Sequence, residues 1–267
     1  MPTIMEPSKV KYAYVEEGVE RLDYYVRGGY HPVKIGDEFQ EGCYVIAHKL
    51  GFGRSATTWL AEDKVMKKLV TLKISTAESV ECTHEEQILL QLTKSRSVLP
   101  GEAIIQTLLN SFTFSGSNGM HRSLVTDAVR VSIHIAKDMA YHHLLQLEAA
   151  RAIASQLILA LQFVHAQGVV HSESKSDDTD LHAGNILLHL PPNIQSMTHE
   201  QLYMNVGRPD EELVVRADGL PLDNGVPLKV VFPALLGLGS DEIKLADSSI
   251  LLIDFGEASN HFSHKMM

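Results

Sequence analysis

The run SILLIDFG, residues 249–256, delivers Asp254 from the end of an apolar strand into a Phe-Gly turn. A carboxylate placed there stands at the mouth of a sheet while the residues before it are buried. That arrangement presents an oxygen ligand to Mg²⁺ on a nucleotide triphosphate. The rest of the chain can be read for elements that would face it.

From Tyr44 the pattern is strand, glycine turn, strand. YVIAHKL, GFG, ATTWLAED and KLVTLKIS predict an antiparallel sheet with tight connections, a small β-rich lobe. THEEQILLQLT carries Ile88, Leu89 and Leu92 at helical spacing with acids in its first turn, which suits the helix dipole and predicts one helix packed on that sheet. LEAARAIASQLILALQFVHAQG sets Ile153, Leu157, Leu161 and Val164 on one stripe and closes at Gly168, a C-cap residue. NILLHL then reads as a strand. The fold class expected is α+β in two lobes: an arm over 1–38, a small lobe over 39–129, and a larger helical part over 130–267. The arm is polar and turn-rich, ending in RGGYHPVKIGD, where Gly28, Gly29 and Pro32 interrupt regular structure. The Pro-, Gly- and Asp-rich stretch at about 191–241 reads as a functional insert or mobile surface.

Composition narrows the function. A formal charge of −10 leaves no basic stripe for nucleic acid, so no direct nucleic-acid partner is expected, and a solvated acidic surface accounts for the charge. Cys43 and Cys82 have no CxxC spacing, which supports neither a zinc site nor a disulfide framework and fits a reducing compartment. No charged n-region followed by an apolar h-region opens the chain, and no uninterrupted apolar run reaches the roughly 20 residues of a membrane span. The expectation is a soluble protein of the cytoplasm, the nucleus or both, with no membrane partner. The pairs His142/His143 and His261/His264 lack a third ligand at suitable spacing, so histidine metal binding is not expected.

Gly51 and Gly53 lie between two predicted strands, where residues without side chains let backbone N–H groups approach phosphate oxygens. A hairpin using glycine for its φ angles explains them equally well, and Ala56 stands where a third glycine of GxGxxG would be. Lys73 follows on an apolar strand, where an ammonium needs an anionic partner, and Glu86 on the next helix together with a triphosphate would supply one. Asp180 and Asn185 in DLHAGN have the D-x-x-x-x-N spacing of a phosphotransferase loop, directly before a strand. Each signal alone is weak. Glycine turn, strand lysine, helix glutamate, Asp/Asn loop and Asp254 in that order form a constellation.

On these residues the chain resembles a eukaryotic-type protein kinase. YYVRGGYHPVKIGD followed by YVIAHKLGFGRSATTWLAED, the tail DFGEAS and the insert containing LVVRADGLPLDNGVP are similar to the SR-protein kinase family, fungal branch, from about Glu16 to Ser259. The resemblance implies ATP and Mg²⁺ as cofactors. It assigns Leu50, Gly51, Gly53 and Lys73 to nucleotide, Glu86 to holding Lys73, and Thr126, Asp127 and Ala128 to the adenine hinge. Asp180 becomes the catalytic base, with Asn185 and Asp254 as metal ligands. Arg/Ser-rich splicing proteins become the expected substrates. The family's large lobe continues past its Asp-Phe-Gly turn, so a truncated chain that is weak or inactive is expected.

Two departures stand out. His171 lies nine residues before Asp180 where the family has two, and a packed scaffold histidine is the expected role. A competing register takes Glu173 as base, Lys175 as phosphate-side cation and Asp178 as metal ligand; Asn185 leading straight into a strand favours Asp180. His182 replaces the family's loop lysine, and DLHAGN looks locally like the loop of aminoglycoside and choline phosphotransferases. A scaffold module without catalysis and a small-molecule phosphotransferase are therefore the rival functions.

Overall fold

In the computed structural model, which describes residues 11–14, 17–81, 84–95, 97–171 and 181–260, the chain enters through two short strands, β1 (Tyr12–Ala13) and β2 (Glu38–Phe39). The three predicted strands follow as β3 (Tyr44–Gly53), β4 (Ala56–Asp63) and β5 (Lys68–Ser75). Helix α1 (His84–Thr93) and the hairpin β6 (Leu108–Gly116) and β7 (Gly119–Asp127) complete a six-stranded antiparallel sheet in the order β2-β3-β4-β5-β7-β6. One face buries Tyr44, Ile46, Trp59, Val70, Leu72 and Val125. The other receives α1, whose Ile88, Leu89 and Leu92 join a core with Leu108 and Leu124. Because both faces are covered, these strands read as nearly continuous apolar runs instead of alternating ones.

The larger part begins with β8 (Val129–Ser132), α2 (Ile133–Asp138) and α3 (Leu147–Ala166). Ala149, Ile153, Ala160, Phe163 and Val164 of α3 are buried, with Leu157 and Leu161 packed against the same core. The helix ends as its sequence predicts: Gly168 takes φ +74° and its N–H donates to the His165 carbonyl at 2.9 Å. By length and mean hydropathy, 1.4, α3 is apolar enough to cross a membrane, yet this stripe is packed inside the protein and Glu148 and Arg151 interrupt its sequence. Its far side leaves Leu147 and Ile158 exposed. The chain runs on through β9 (Val169–Val170) and β10 (Ile186–His189), which lies between β8 and β14 (Ile250–Leu252) in a three-stranded sheet.

The stretch read as insert or mobile surface is folded, and so are the described residues of the arm. Helices α4 (Pro192–Gln195) and α5 (His199–Val206) and strands β11 (Glu211–Leu213), β12 (Val215–Arg216) and β13 (Lys229–Val231) return to the small lobe. A capping box of Thr198 and Gln201 starts α5, whose Leu202 packs with Ala47, Leu60 and Leu69. Its first N–H donates to Glu62 at 3.0 Å, and the Tyr203 hydroxyl donates to the Ala47 carbonyl at 3.0 Å. β12 pairs with β1, and Tyr12, Val19, Leu22, Tyr25 and Tyr30 of the arm share a core with Val214, Val226 and Val230. The polar composition of each segment conceals this, because neither can bury its apolar residues without the other. A final short strand, β15 (Ser259–Asn260), pairs with β9.

Candidate functional site

Between the sheet and the β10/β14 pair lies a cavity of about 360 Å³, lined among others by Gly53, Lys73, Glu85, Thr126, Leu187 and Asp254. That is the scale of a small-molecule site. The β3–β4 hairpin covers one end, with Gly51 opposite Thr58 and Gly53 opposite Ala56. Neither glycine has a positive φ, and a Cβ at either would meet nothing within 4 Å. Among the described residues nothing requires glycine at 51 and 53, and a hairpin's φ angles do not explain them. The open backbone there leaves room for a ligand to approach closely. Leu50 is partly buried beside them and lines the adjoining hollow with Gly51, Val129 and Ile253.

Lys73 sits on β5 opposite Thr58 and Leu124. Its Nζ donates to both carboxylate oxygens of Glu85, each at 2.8 Å, and to Oδ1 of Asp254 at 3.0 Å. The expected partner Glu86 is thus corrected to Glu85. Consecutive helical residues point about 100° apart, so only one of two neighbouring acids can face the cleft. Glu85 is 7% exposed and faces Lys73. Glu86 is turned toward Arg122 on β7, whose guanidinium donates to it and, at 3.3 Å, to the Val80 carbonyl. Burial by itself would lower the Lys73 pKa, but the charges of Glu85 and Asp254 outweigh it and hold the ammonium well above its ordinary value. The Lys73 charge in turn lowers the Asp254 pKa, against burial.

Asp254 follows β14 with φ +62°, the left-handed region that a non-glycine residue rarely adopts. Two contacts hold it there. Phe255 is fully buried, its ring 4.8 Å from that of His171, and His171 Nε2 donates to the Ile253 carbonyl at 3.0 Å. His171 therefore has the scaffold position expected of it. The Ile253 N–H donates to the Asn185 carbonyl at 3.0 Å, which brings the Asp/Asn loop against the Asp254 strand. Asn185 is 7% exposed at the entrance to β10. Asp180, with Glu173, Lys175 and Asp178 of the competing register, lies outside the described residues. His182 Nδ1 accepts from the Gly184 N–H at 3.0 Å, so this nitrogen is occupied in capping its own turn.

At the expected hinge, Thr126 and Val129 line the cavity. The Asp127 side chain turns out to Lys68, 3.4 Å away, and Ala128 is buried with Ala47, Leu60 and Leu69. Besides Glu85, the sequence did not reveal Gln106, buried and donating to the Thr126 hydroxyl at 2.9 Å, or Leu187 on β10 as lining residues.

The residues present fit a magnesium nucleotide. Lys73 supplies a fixed positive charge, while the Asp254 carboxylate and the Asn185 side chain are hard oxygen donors of the kind Mg²⁺ takes. One ammonium between two carboxylates leaves a net negative charge at the cleft floor, which a cation would offset.

No protein-family model matches the chain. It is 34% identical over 167 residues to protein kinase dsk1 of Schizosaccharomyces pombe, covering 61% of this chain and 30% of that protein. It is 31% identical over 180 residues to serine/threonine-protein kinase SKY1 of Saccharomyces cerevisiae, covering 64% and 24%. To human SRSF protein kinase 3 it is 30% identical over 165 residues, covering 60% and 29%. The chain thus spans less than a third of the length of these relatives, and yeast and human identities are too similar to single out a fungal branch. A crystal structure of the PF14_0431 kinase domain superimposes with a TM-score of 0.52 at 16% identity, over 85% of this chain and 54% of that one, which shows the fold. The chain has the two-lobed α+β protein-kinase fold and is homologous to the SR-protein kinases.

Proposed function

We propose that this chain binds Mg·ATP in the cleft between its sheet and β10/β14 and carries the nucleotide side of a serine/threonine kinase reaction on Arg/Ser-rich proteins. The observation that carries the proposal is Lys73, held at 2.8 Å by Glu85 and at 3.0 Å by Asp254 beneath the Gly51–Gly53 turn. Lys73 positions phosphate oxygens, and Glu85 fixes its direction. Thr126 and Val129 border the adenine end, with Leu187 and Ile253 as its apolar lining. Asp254 and Asn185 hold the metal, which supplies charge neutralisation at the phosphates when bound.

Asp180 takes the proton from the substrate serine hydroxyl. As that oxygen bonds to the γ-phosphorus, the bond to the β-phosphate's bridging oxygen breaks and ADP leaves. The acidic charge of −10 favours a basic substrate. A cytoplasmic and nuclear location belongs to this proposal.

The test compares wild type, Lys73→Met and Asp180→Ala by calorimetry with Mg·ATP and by radiolabel transfer to an Arg/Ser peptide. Nucleotide binding that Lys73→Met abolishes supports the site. Transfer lost in Asp180→Ala supports the register and the reaction. No binding by folded wild type would leave the scaffold function, and transfer to choline instead of peptide would leave the small-molecule one.

A further inference from the structure

The Gly51–Gly53 turn has a support from outside the sheet. Tyr30 is 4% exposed, its ring packed beside Tyr25 and Tyr24 at centroid distances of 5.5 and 6.1 Å. Its hydroxyl donates to the Gly53 carbonyl at 2.7 Å, with the Arg54 carbonyl at 3.4 Å. The residues just before it grip the other side of the lobe. The Gly28 and Gly29 carbonyls accept from the N–H groups of Glu78 at 2.8 Å and Ala77 at 3.0 Å, on the connection that leads to α1 and Glu85. The Gly28 N–H donates to the Asn118 carbonyl at 2.8 Å, and Asn118 Nδ2 donates to the carbonyls of Tyr30 at 2.7 Å and Gly225 at 3.0 Å. This turn needs its glycines: Gly28 has φ +91°, and a Cβ on Gly29 would lie 1.8 Å from the Tyr24 carbonyl.

In a trans peptide the C=O and the following N–H point in opposite directions. With the Gly53 carbonyl fixed to Tyr30, the Arg54 N–H points away from the arm. Gly53, Arg54 and Ser55 all line the cavity, whereas Tyr30 does not. We infer that Tyr30 is a positioning residue for the phosphate end of the cleft: its hydroxyl fixes the 53–54 peptide so that the turn offers an N–H donor to phosphate. The inference rests on the nucleotide reading of the cleft.

The test uses the full chain as wild type, Tyr30→Phe and Tyr25→Phe. The last removes a buried hydroxyl that donates to Glu20 and leaves the turn alone. Calorimetry gives Kd for Mg·ATP and for adenosine, hydrogen exchange of the free proteins follows the peptide spanning 51–57, and thermal unfolding checks the lobe. A single net hydrogen bond sets the expectation that Tyr30→Phe weakens Mg·ATP by about 3- to 10-fold. Adenosine, which lacks phosphates, should be unaffected, exchange at 51–57 should quicken, and Tyr25→Phe should change neither. Equal losses for Mg·ATP and adenosine, or unchanged Mg·ATP affinity with unchanged exchange, would overturn the inference. If wild type binds neither compound, the proposed function fails. In that case faster exchange at 51–57 in Tyr30→Phe still supports the hold on the turn, and unchanged exchange overturns it.

Discussion

Lys49→Met removes the cation from an ion pair whose side chains are 1% and 4% exposed, Lys49 and Glu20. The carboxylate left behind is shut away from water, with the Tyr25 hydroxyl still donating to it. Breaking such a pair on one side costs about 3–5 kcal/mol, because the surviving charge has lost its compensation. The ammonium also lies 5.6 Å over the Trp59 ring, a desolvated contact of about 2 kcal/mol that disappears with it. Glu20→Gln should cost a similar amount from the other side. Together, Glu20→Gln and Lys49→Met remove both charges and leave an amide oxygen to accept from Tyr25, so the double variant should lie within about 2 kcal/mol of wild type. Trp59 is the single tryptophan and 1% exposed, so its emission reports unfolding of this lobe. Urea titration of the four proteins gives the coupling energy. A coupling of about 2 kcal/mol or more is expected from the desolvation of both partners. Penalties that simply add, with coupling under about 0.5 kcal/mol, would refute a desolvated pair joining the arm to the strand of the glycine turn.

The two adjacent acids of α1 should separate cleanly: Glu85→Gln should weaken Mg·ATP at least about 10-fold in calorimetry, while Glu86→Gln, whose ion pair is partly exposed, should cost about 1 kcal/mol of stability and leave affinity alone. Burial, and then the nearby His121, lower the His31 pKa to about 4. Its stabilising contribution is therefore complete above the unfolded value near 6.5 and is lost as pH falls toward 4, a span of about 3 kcal/mol. His31 Nδ1 has no hydrogen-bond partner among the described residues, so His31→Phe should flatten that part of the pH–stability curve, measured by urea titration at each pH. Gly101→Ala would place a methyl 1.9 Å from the Leu159 carbonyl of α3, and a loss of about 2–4 kcal/mol should appear as a lower urea midpoint.

What the sequence disclosed was local. The strands β3 to β5, helix α1 and the end of α3 follow from periodicity and one C-cap glycine, each settled within about a dozen residues. Lys73 and Asp254 were legible because a charged residue ending or interrupting an apolar strand needs a partner, and here each partners the other. Glu85 was not separable from Glu86, since choosing between neighbours requires the rotation of α1 about its axis, which the sheet beneath it fixes. The hairpin β6–β7 alternates too weakly to stand out before SLVTD. Lys49 looked like one more residue of YVIAHKL, although it is paired with a glutamate 29 residues earlier. The arm's tyrosines were equally opaque, because their burial depends on residues more than 180 positions downstream.

That separation sets a timetable for synthesis. The Tyr12 hydroxyl donates to Asp223, 211 residues further on. At roughly 5–20 residues per second, a ribosome needs about 10–40 s to make the chain between them. For most of that interval Val19, Leu22, Tyr25 and Tyr30 exist while Val214, Val226 and Val230 do not. The nascent protein must carry an apolar segment with no mate, open to chaperones and to wrong partners alike, and docking the arm must close a very long loop.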